Sequence, residues 1–528
     1  MVRSDTTGQD FLRSMTAMLR HWASVQPDAP MLTHDAETVT WGDFYQRAVG
    51  VACALSASGV NAGDRVAYLD RNGIEYFEVL FGCALLGAVD VAVNWRLSPI
   101  EMAAVVLDAG AVVLVHGPDY QDAVAVIREQ AECVRHVVPS AGFRAWRDSA
   151  VPALDPGFEP GPGDVILQMY TSGTTGLPKG VMTSGRNIAT ILGAAVEKYR
   201  VGRDTVSMVA MPLFHIGGTG WALAGMSHGG HTVIVRDIEA ARILRVIEQH
   251  AVTSAFVVPA VLMMLLAAPE LPSTDVGSLR TIFYGASPIS EDVLVRSMEA
   301  LGCDFAQVYG STETTGAITV LPPEDHDPDG RRSHLLRSAG RPLSYVELRI
   351  VDSVTGEVLA AEEVGEVVTR SDQTMLGYWN QPEETAAVLS PDGWYRTGDA
   401  GWLSEDGHLF LHDRIKDMIV SGGENVYPAE VENALAAHPG VADVAVIGVP
   451  DERWGETVKA IVVREPGSVG DDAALSADII EHARQRLAHY KCPTSIDIVD
   501  TLPRNPSGKV LKRALRAPYW EGLGRNIG

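Results

Sequence analysis

The five cysteines, Cys53, Cys83, Cys133, Cys303 and Cys492, include no CxxC pair and are odd in number. Neither a zinc site nor a disulfide framework is indicated, and a reducing, cytoplasmic setting fits. Basic residues are also scarce. Lys and Arg number 42 against 67 Asp and Glu, a formal charge of −25. That disfavours a general nucleic-acid binder, which needs a basic face. A polyphosphate ligand would then need a local positive site, helped by a divalent metal. Long apolar runs are missing too. The longest, Ala255–Ala268, is interrupted by Pro259 and is too short to span a bilayer. It reads instead as a strand followed by a buried core helix. No integral membrane span is expected, and peripheral contact is left open. The opening residues MVRSDTTGQDFLRS contain no apolar run of the secretory-signal kind.

What is present is ordinary globular material: 528 residues with 46% apolar content, enough for roughly three or four structural units. The first half alternates strand-like and helix-like segments. Thr40 is a helix cap, with apolar positions running on to a stop at Gly59. RVAYL (Arg65–Leu69) reads as a short buried strand, and IEYFEVLFGCALLG reads as a helix ending near Gly87. VDVAV (Val89–Val93) is strand-like again. Ser98-Pro99-Ile100-Glu101 then supplies a cap, an N1 proline and a capping-box glutamate. AVVLV (Ala111–Val115) follows as a strand. Apolar strands alternating with helices imply a parallel sheet covered on both faces. After about residue 340, segments such as YVELRIVD and GEVVTRS alternate with turns and predict a small β-rich subdomain. From DRIKDMIVSGGENVYPAEVE (Asp413–Glu432) onward, the remaining hundred or so residues suit a small α+β domain.

VILQMY (Val165–Tyr170) is a strand, and it runs straight into TSGTTGLPKG. Ligands of open α/β sheets gather at the carboxyl ends of strands, so this segment stands where a ligand loop belongs. Its hydroxyls, backbone N–H groups and single ammonium suit phosphate oxygens. It is not a Walker A loop, because Lys179 follows Pro178 and precedes Gly180. A Ser/Thr/Gly surface turn is the bland alternative. Similar strand-to-turn passages recur at TIFYGASPIS and FAQVYGSTETTG. In YGSTE (Tyr309–Glu313) a ring able to lie against a nucleobase precedes a close-approach glycine, two hydroxyls and a carboxylate able to ligate Mg²⁺. GWYRTGD ends in Asp399, suited to ribose hydroxyls, and NPSGK presents Lys509 near the carboxyl end.

Together with VAVNWRLSPIE, MPLFHIGG and DRIKDMIVSGGENVYPAE, these ordered stretches resemble the adenylate-forming superfamily. The likeness covers nearly the whole chain. It is closest to fatty acyl-CoA ligases, through DGWYRTGDAGWLSEDGHLFLHDRIKDMI. The resemblance implies an α/β fold: a large N-terminal domain of two doubly wound α/β subdomains plus a small β-barrel, and a mobile small α+β C-terminal domain. It places the adenylation domain at 1–413 and the smaller domain at 414–528, with a hinge near Lys416. The implied reaction joins a carboxylic acid to ATP, releasing pyrophosphate, and then moves the acyl group from acyl-AMP to coenzyme A. ATP, Mg²⁺ and coenzyme A are the implied cofactors. The acid is a medium- or long-chain fatty acid or a ring-bearing acid, and a homodimer is left open.

Roles carry over by position. Thr171, Ser172, Gly173, Thr174, Thr175, Gly176 and Lys179 resemble the phosphate loop. Gly285 and Ala286, with Tyr309 and Gly310, resemble the adenine side of the nucleotide site, and Ser311 and Thr312 lie toward the α-phosphate. Glu313 resembles the Mg²⁺ ligand, with Thr174 beside it. Asp399 and Arg414 resemble the ribose grip. Lys509 resembles the lysine that reaches both carboxylate and α-phosphate. One ammonium about 4 Å from that charge, at an effective dielectric near 20, contributes on the order of 4 kcal/mol, roughly a thousandfold in rate. His215 resembles a wall between acyl pocket and thiol path, and a satisfied core histidine is its plain alternative. Ser421, Gly422 and Gly423 resemble the pantetheine tunnel. Trp454, Tyr490 and Lys491 resemble the coenzyme A nucleotide contacts, whereas Cys492 and Thr494 stand where some relatives carry basic residues. Gly217, Trp221, Met263 and Gly316 fall in acyl-pocket segments. His408 and His412 lie on a strand-like run with no third ligand in view, so a metal site there is not expected.

Two other readings compete. A fatty acyl-AMP ligase would hand its adenylate to a carrier protein. A non-catalytic nucleotide-binding protein should have lost Lys509, Glu313 or Asp399, and all three are present.

Overall fold

The computed structural model describes residues 10–149, 153–171, 178–287, 289–414, 417–421, 424–426, 428–451, 455–468, 471–487, 489–504 and 510–521. The local signals in the first half produce the expected elements. Ser98 accepts from the Glu101 amide while the Glu101 side chain returns to the Ser98 amide, starting the helix Pro99–Ala109. Thr40 caps the helix Trp41–Ala57 by accepting from the Asp43 amide, without the reciprocal bond. Gly87, at φ +81°, ends the helix Ile74–Leu86, a left-handed geometry that glycine adopts without a Cβ penalty. These two helices pack tightly: a Cβ on Gly82 would meet Val51 Cγ1 at 2.5 Å.

The strands assemble into two large, mainly parallel sheets. The first has six described strands in the order His136–Pro139, Ala111–His116, Arg65–Leu69, Val89–Ala92, Val165–Thr171 and Lys179–Ser184. Only its last pair is antiparallel. The second has nine, with Thr281–Gly285 lying parallel between Ser254–Val257 and Asp304–Ser311. The strands Ala111–His116, Ser254–Val257 and Thr281–Gly285 are buried along their whole length, as parallel strands covered on both faces must be. The apolar run containing Pro259 becomes the strand Ser254–Val257 and then the helix Pro259–Leu266, with the proline in the first turn. That placement costs no hydrogen bond. No described helix is long and apolar enough to cross a membrane.

The β-rich segment forms a separate antiparallel sheet in the order Glu347–Val351, Gly365–Arg370, Tyr395–Leu403 and Leu409–Arg414. His408 anchors it to the nine-stranded part: Nδ1 lies 3.1 Å from Asp406 and Nε2 3.3 Å from Asp325. This buried imidazole is a clamp between carboxylates. The next described strand, Ile419–Ser421, belongs to a different sheet with Glu424–Val426, Gly455–Arg464, Val441–Asp451 and Ser495–Val499. That last sheet has its own core, including Ile419, Val431, Leu435, Val446 and Ile479. Burying each such aliphatic side chain contributes about 1.5–3 kcal/mol.

Candidate active site

Two strand ends create the site. Gly285 and Val308 are partners on neighbouring parallel strands, so the turns that follow them emerge side by side. Both turns are tightly constrained. A Cβ on Gly285 would lie 2.1 Å from Val308 O, and one on Gly310 would lie 2.1 Å from Gly316 O. No side chain fits at either place. Ala286 and Thr315 hold positive φ values of 65° and 47°, a cost that persists only where the surroundings over-determine the backbone. The Ser311 and Thr315 hydroxyls are buried with no hydrogen-bond partner among the described residues. Buried hydroxyls left unmet at a strand end are suited to the polar atoms of a ligand.

Tyr309 donates its phenol proton to Asp399 Oδ2 at 2.6 Å, joining the nine-stranded sheet to the four-stranded one. Asp399 and Arg414 are register partners on adjacent strands. The expected base-side ring and ribose-side acid are therefore neighbours, although 90 residues separate them in the chain.

Glu313 is positioned by a segment that sequence reasoning did not single out. The Met375 amide donates to Glu313 O at 2.8 Å, and the Tyr378 hydroxyl donates to Glu313 Oε1 at 3.1 Å. Gln373, fully buried, donates to Thr314 O at 2.7 Å and Ala317 O at 2.9 Å and accepts from the Tyr345 hydroxyl at 2.9 Å. The same segment bridges Tyr378 to Val181 and donates the Trp379 amide to Gly180 O at 2.7 Å. It thus ties the Glu313 turn to the strand that carries Lys179. The Trp379 indole then donates to Asp108 O at 3.0 Å beneath the Arg65 guanidinium, and Tyr170 donates to Asp108 Oδ2 at 2.6 Å.

Lys179 is buried. Its ammonium pairs with Glu384 and lies 5.0 Å from the centre of the Tyr378 ring. Asp399–Tyr309 and Glu313–Tyr378–Lys179 are thus two runs of contacts, joined through the four-residue step from Tyr309 to Glu313 into one rim. Thr171 pairs with Lys179 across the mouth of the phosphate-loop segment. Ser172, Gly173, Thr174, Thr175 and Gly176 lie outside the described residues, as do Lys416, Gly422, Gly423, Trp454 and Lys509.

His215 precedes the helix Ile216–Ser227 and stands 4.3 Å from the Phe214 ring. Burial, with the Arg96 charge nearby, lowers its pKa to about 4. It is thus neutral at physiological pH, with Nε2 buried and unpartnered among the described residues. Trp221 belongs to the packed core, donating to Met208 O at 2.9 Å and contacting Tyr199 and Phe283. Phe256, absent from the expected set, faces Gly217: a Cβ there would meet its Cε1 at 2.9 Å. Gly316, at φ +97°, opens the strand Gly316–Leu321 that follows the Glu313 turn, and Met263 is 47% exposed. In the smaller domain, Ser421 bridges to Gly455. Lys491 donates to both Glu430 oxygens at 2.7 Å, beside a half-exposed Tyr490.

Comparison with known families decides the assignment. The AMP-binding enzyme model matches residues 19–379, and the AMP-binding enzyme C-terminal domain model matches 430–509. The chain belongs to the AMP-binding enzyme family. It is a member of the adenylate-forming superfamily, with a large N-terminal domain followed by a C-terminal domain. Within the family, it is 38% identical over 524 residues to the fatty acid–[acyl-carrier-protein] ligase ScoC of Streptomyces coeruleorubidus, covering 98% of each chain. It is 39% identical over 501 residues to a feruloyl-CoA synthase of an Amycolatopsis species, covering 94% of this chain and 97% of that protein. The solved structure of a Mycobacterium tuberculosis fatty acyl CoA synthetase superposes with a TM-score of 0.77 at 32% identity, covering 97% of this chain and 99% of that one.

Proposed function

We propose that the chain is an ATP-dependent acyl-CoA synthetase acting on a fatty or ring-bearing carboxylic acid. The observation that carries this reading is the single rim from Asp399 through Tyr309, Glu313 and Tyr378 to Lys179. It sets a nucleoside-side pair at one end and a buried ammonium at the other, with a carboxylate between. That order suits a nucleotide laid with its phosphate tail toward Lys179.

The acid's carboxylate attacks the α-phosphorus, the bond to the bridging oxygen breaks, and pyrophosphate leaves with the electron pair. Charge spreads over several oxygens in that transition state, so fixed donors and cations contribute most of the rate. The Ser311 hydroxyl, buried and without a partner among the described residues, is a proposed donor to that charge, and Lys509 the proposed second ammonium. Mg²⁺ fits the residues present: Glu313 offers one carboxylate, and Mg²⁺ commonly takes one or two carboxylates together with substrate phosphates. Bound there, it would neutralise phosphate charge. Thr174 is the second proposed contact.

In the second half-reaction the thiol of coenzyme A attacks the acyl carbonyl and AMP leaves. Neutral His215 lines the acyl side without adding a charge, and Phe256 with Gly217 and Gly316 bounds the acyl group. Rotation of the domain beginning near residue 414 about Lys416 exchanges Lys509 for the thiol path through Ser421, Gly422 and Gly423. Trp454 and Tyr490 take the coenzyme A nucleotide. Lys491 joins them once its pair with Glu430 opens. The likeness to ScoC supports a second reading, delivery of the adenylate to a carrier protein. One assay tests both: pyrophosphate release and thioester mass, on coenzyme A and on a carrier protein, across acids of graded length and shape. Thioester on coenzyme A supports the first reading, and thioester confined to the carrier replaces it with the second.

A further inference from the structure

Lys179 meets a carboxylate that the phosphate-loop motif does not contain. Glu384 lies in the first turn of the helix Pro382–Val388, 205 residues further along the chain. Its position is set by Thr385, whose hydroxyl accepts from the Tyr378 amide at 2.9 Å and donates to Gln381 O at 2.8 Å. That clamp holds the helix start against the residue beneath Lys179. The two partners differ in freedom. The Lys179 side chain is 11% exposed, whereas the Glu384 side chain is 43% exposed. The ammonium is fixed and the carboxylate can swing into water.

Lys179 is linked through the Tyr378 ring to Glu313, not to the nucleoside-side pair of Tyr309 and Asp399. A phosphate tail reaching it would bring several negative charges against the single one of Glu384.

We propose that Glu384 is an internal counter-ion of Lys179, displaced by the triphosphate tail and restored as pyrophosphate leaves, so that it sets the protein's affinity for polyphosphates. The proposal rests on the adenylating reading for where ATP lies. Without polyphosphate, the carboxylate spares Lys179 the cost of a buried unpaired charge. With polyphosphate bound, it competes for the same ammonium and weakens retention of the leaving group.

The test uses full-length wild type, E384Q, E384A, K179A, the double variant K179A/E384Q, and E383Q as a neighbouring charge control. Magnesium pyrophosphate is titrated by calorimetry, and the KM for ATP and inhibition by pyrophosphate and AMP are read from AMP formation. Thermal melting checks the fold. E384Q and E384A should tighten pyrophosphate and lower the ATP KM by roughly fivefold, the upper range for a partly exposed pair. AMP inhibition and E383Q should match wild type, and the Glu384 effect should vanish on the K179A background. Unchanged or weaker pyrophosphate binding in folded E384Q and E384A overturns the counter-ion role. Absence of AMP formation with the calorimetric shift intact overturns only the proposed activity.

Discussion

Replacing Gln373 with methionine removes three hydrogen bonds while nearly keeping the side-chain length and volume. Gln373 is buried, and its amide nitrogen serves Thr314 O at 2.7 Å and Ala317 O at 2.9 Å, while its oxygen takes the Tyr345 hydroxyl at 2.9 Å. A thioether meets none of these needs. Each buried polar group left unmet costs about 1–3 kcal/mol. Relaxation of Tyr345 toward water would recover part of that, leaving roughly 2–4 kcal/mol of net destabilisation. In a domain of roughly 400 residues that lowers the melting temperature by about 2–5 °C. The two carbonyls lie in the turn carrying Glu313 and on the strand just after it, so the geometry of the rim loosens as well. A misplaced carboxylate worth about 1.4 kcal/mol in the transition state lowers kcat/KM about tenfold. Melting and AMP release, assayed well below the transition, measure the two effects separately. Wild-type melting together with wild-type turnover would refute the claim that Gln373 holds this turn.

Tyr378→Phe deletes the donor 3.1 Å from Glu313 Oε1 and keeps the ring beneath Lys179. The expected result is a loss of about tenfold in kcat/KM with a rightward shift in magnesium dependence. Unchanged magnesium dependence would show that the hydroxyl does not position the carboxylate. Burial lowers the pKa values of both His215 and His231 from 6.5 to about 4. Between those values the unfolded chain binds more protons than the folded one, so stability is lost as pH falls through this window. His215→Asn should flatten the slope of stability against pH there, and an unchanged slope would contradict the burial argument. Because His215 stays neutral in the fold, its titration should leave activity level from pH 8 down to roughly 5.

Local chemistry made much of the fold legible. The Ser98–Glu101 capping box, the Thr40 cap and the Gly87 stop each act within four residues, and each forms as written. The parallel sheets followed from apolar strands alternating with helices. Long-range partnerships were a different matter. Tyr378, Gln373 and Glu384 reach the site from segments with no ligand-loop character. QPEETAAV reads as a helix start with two acids, and nothing in it marks Glu384 as the partner of a lysine 205 residues earlier. Trp221 was expected to close the acyl pocket because of its bulk, and the structure sets its ring beside Tyr199 and Phe283, one turn of helix on from Gly217. Phe256 carries no ligand-loop signal because its strand is buried throughout, and only the fold brings its ring against Gly217.

Lys509 carries the central chemical claim, and dissecting the half-reactions in Lys509→Ala tests it most directly. With acid, ATP and magnesium, the variant should lose pyrophosphate release by about a thousandfold, the effect of removing one ammonium from the transition state. Given preformed acyl-adenylate and coenzyme A, it should form thioester at close to the wild-type rate. Equal loss, or equal survival, of both half-reactions would contradict the account.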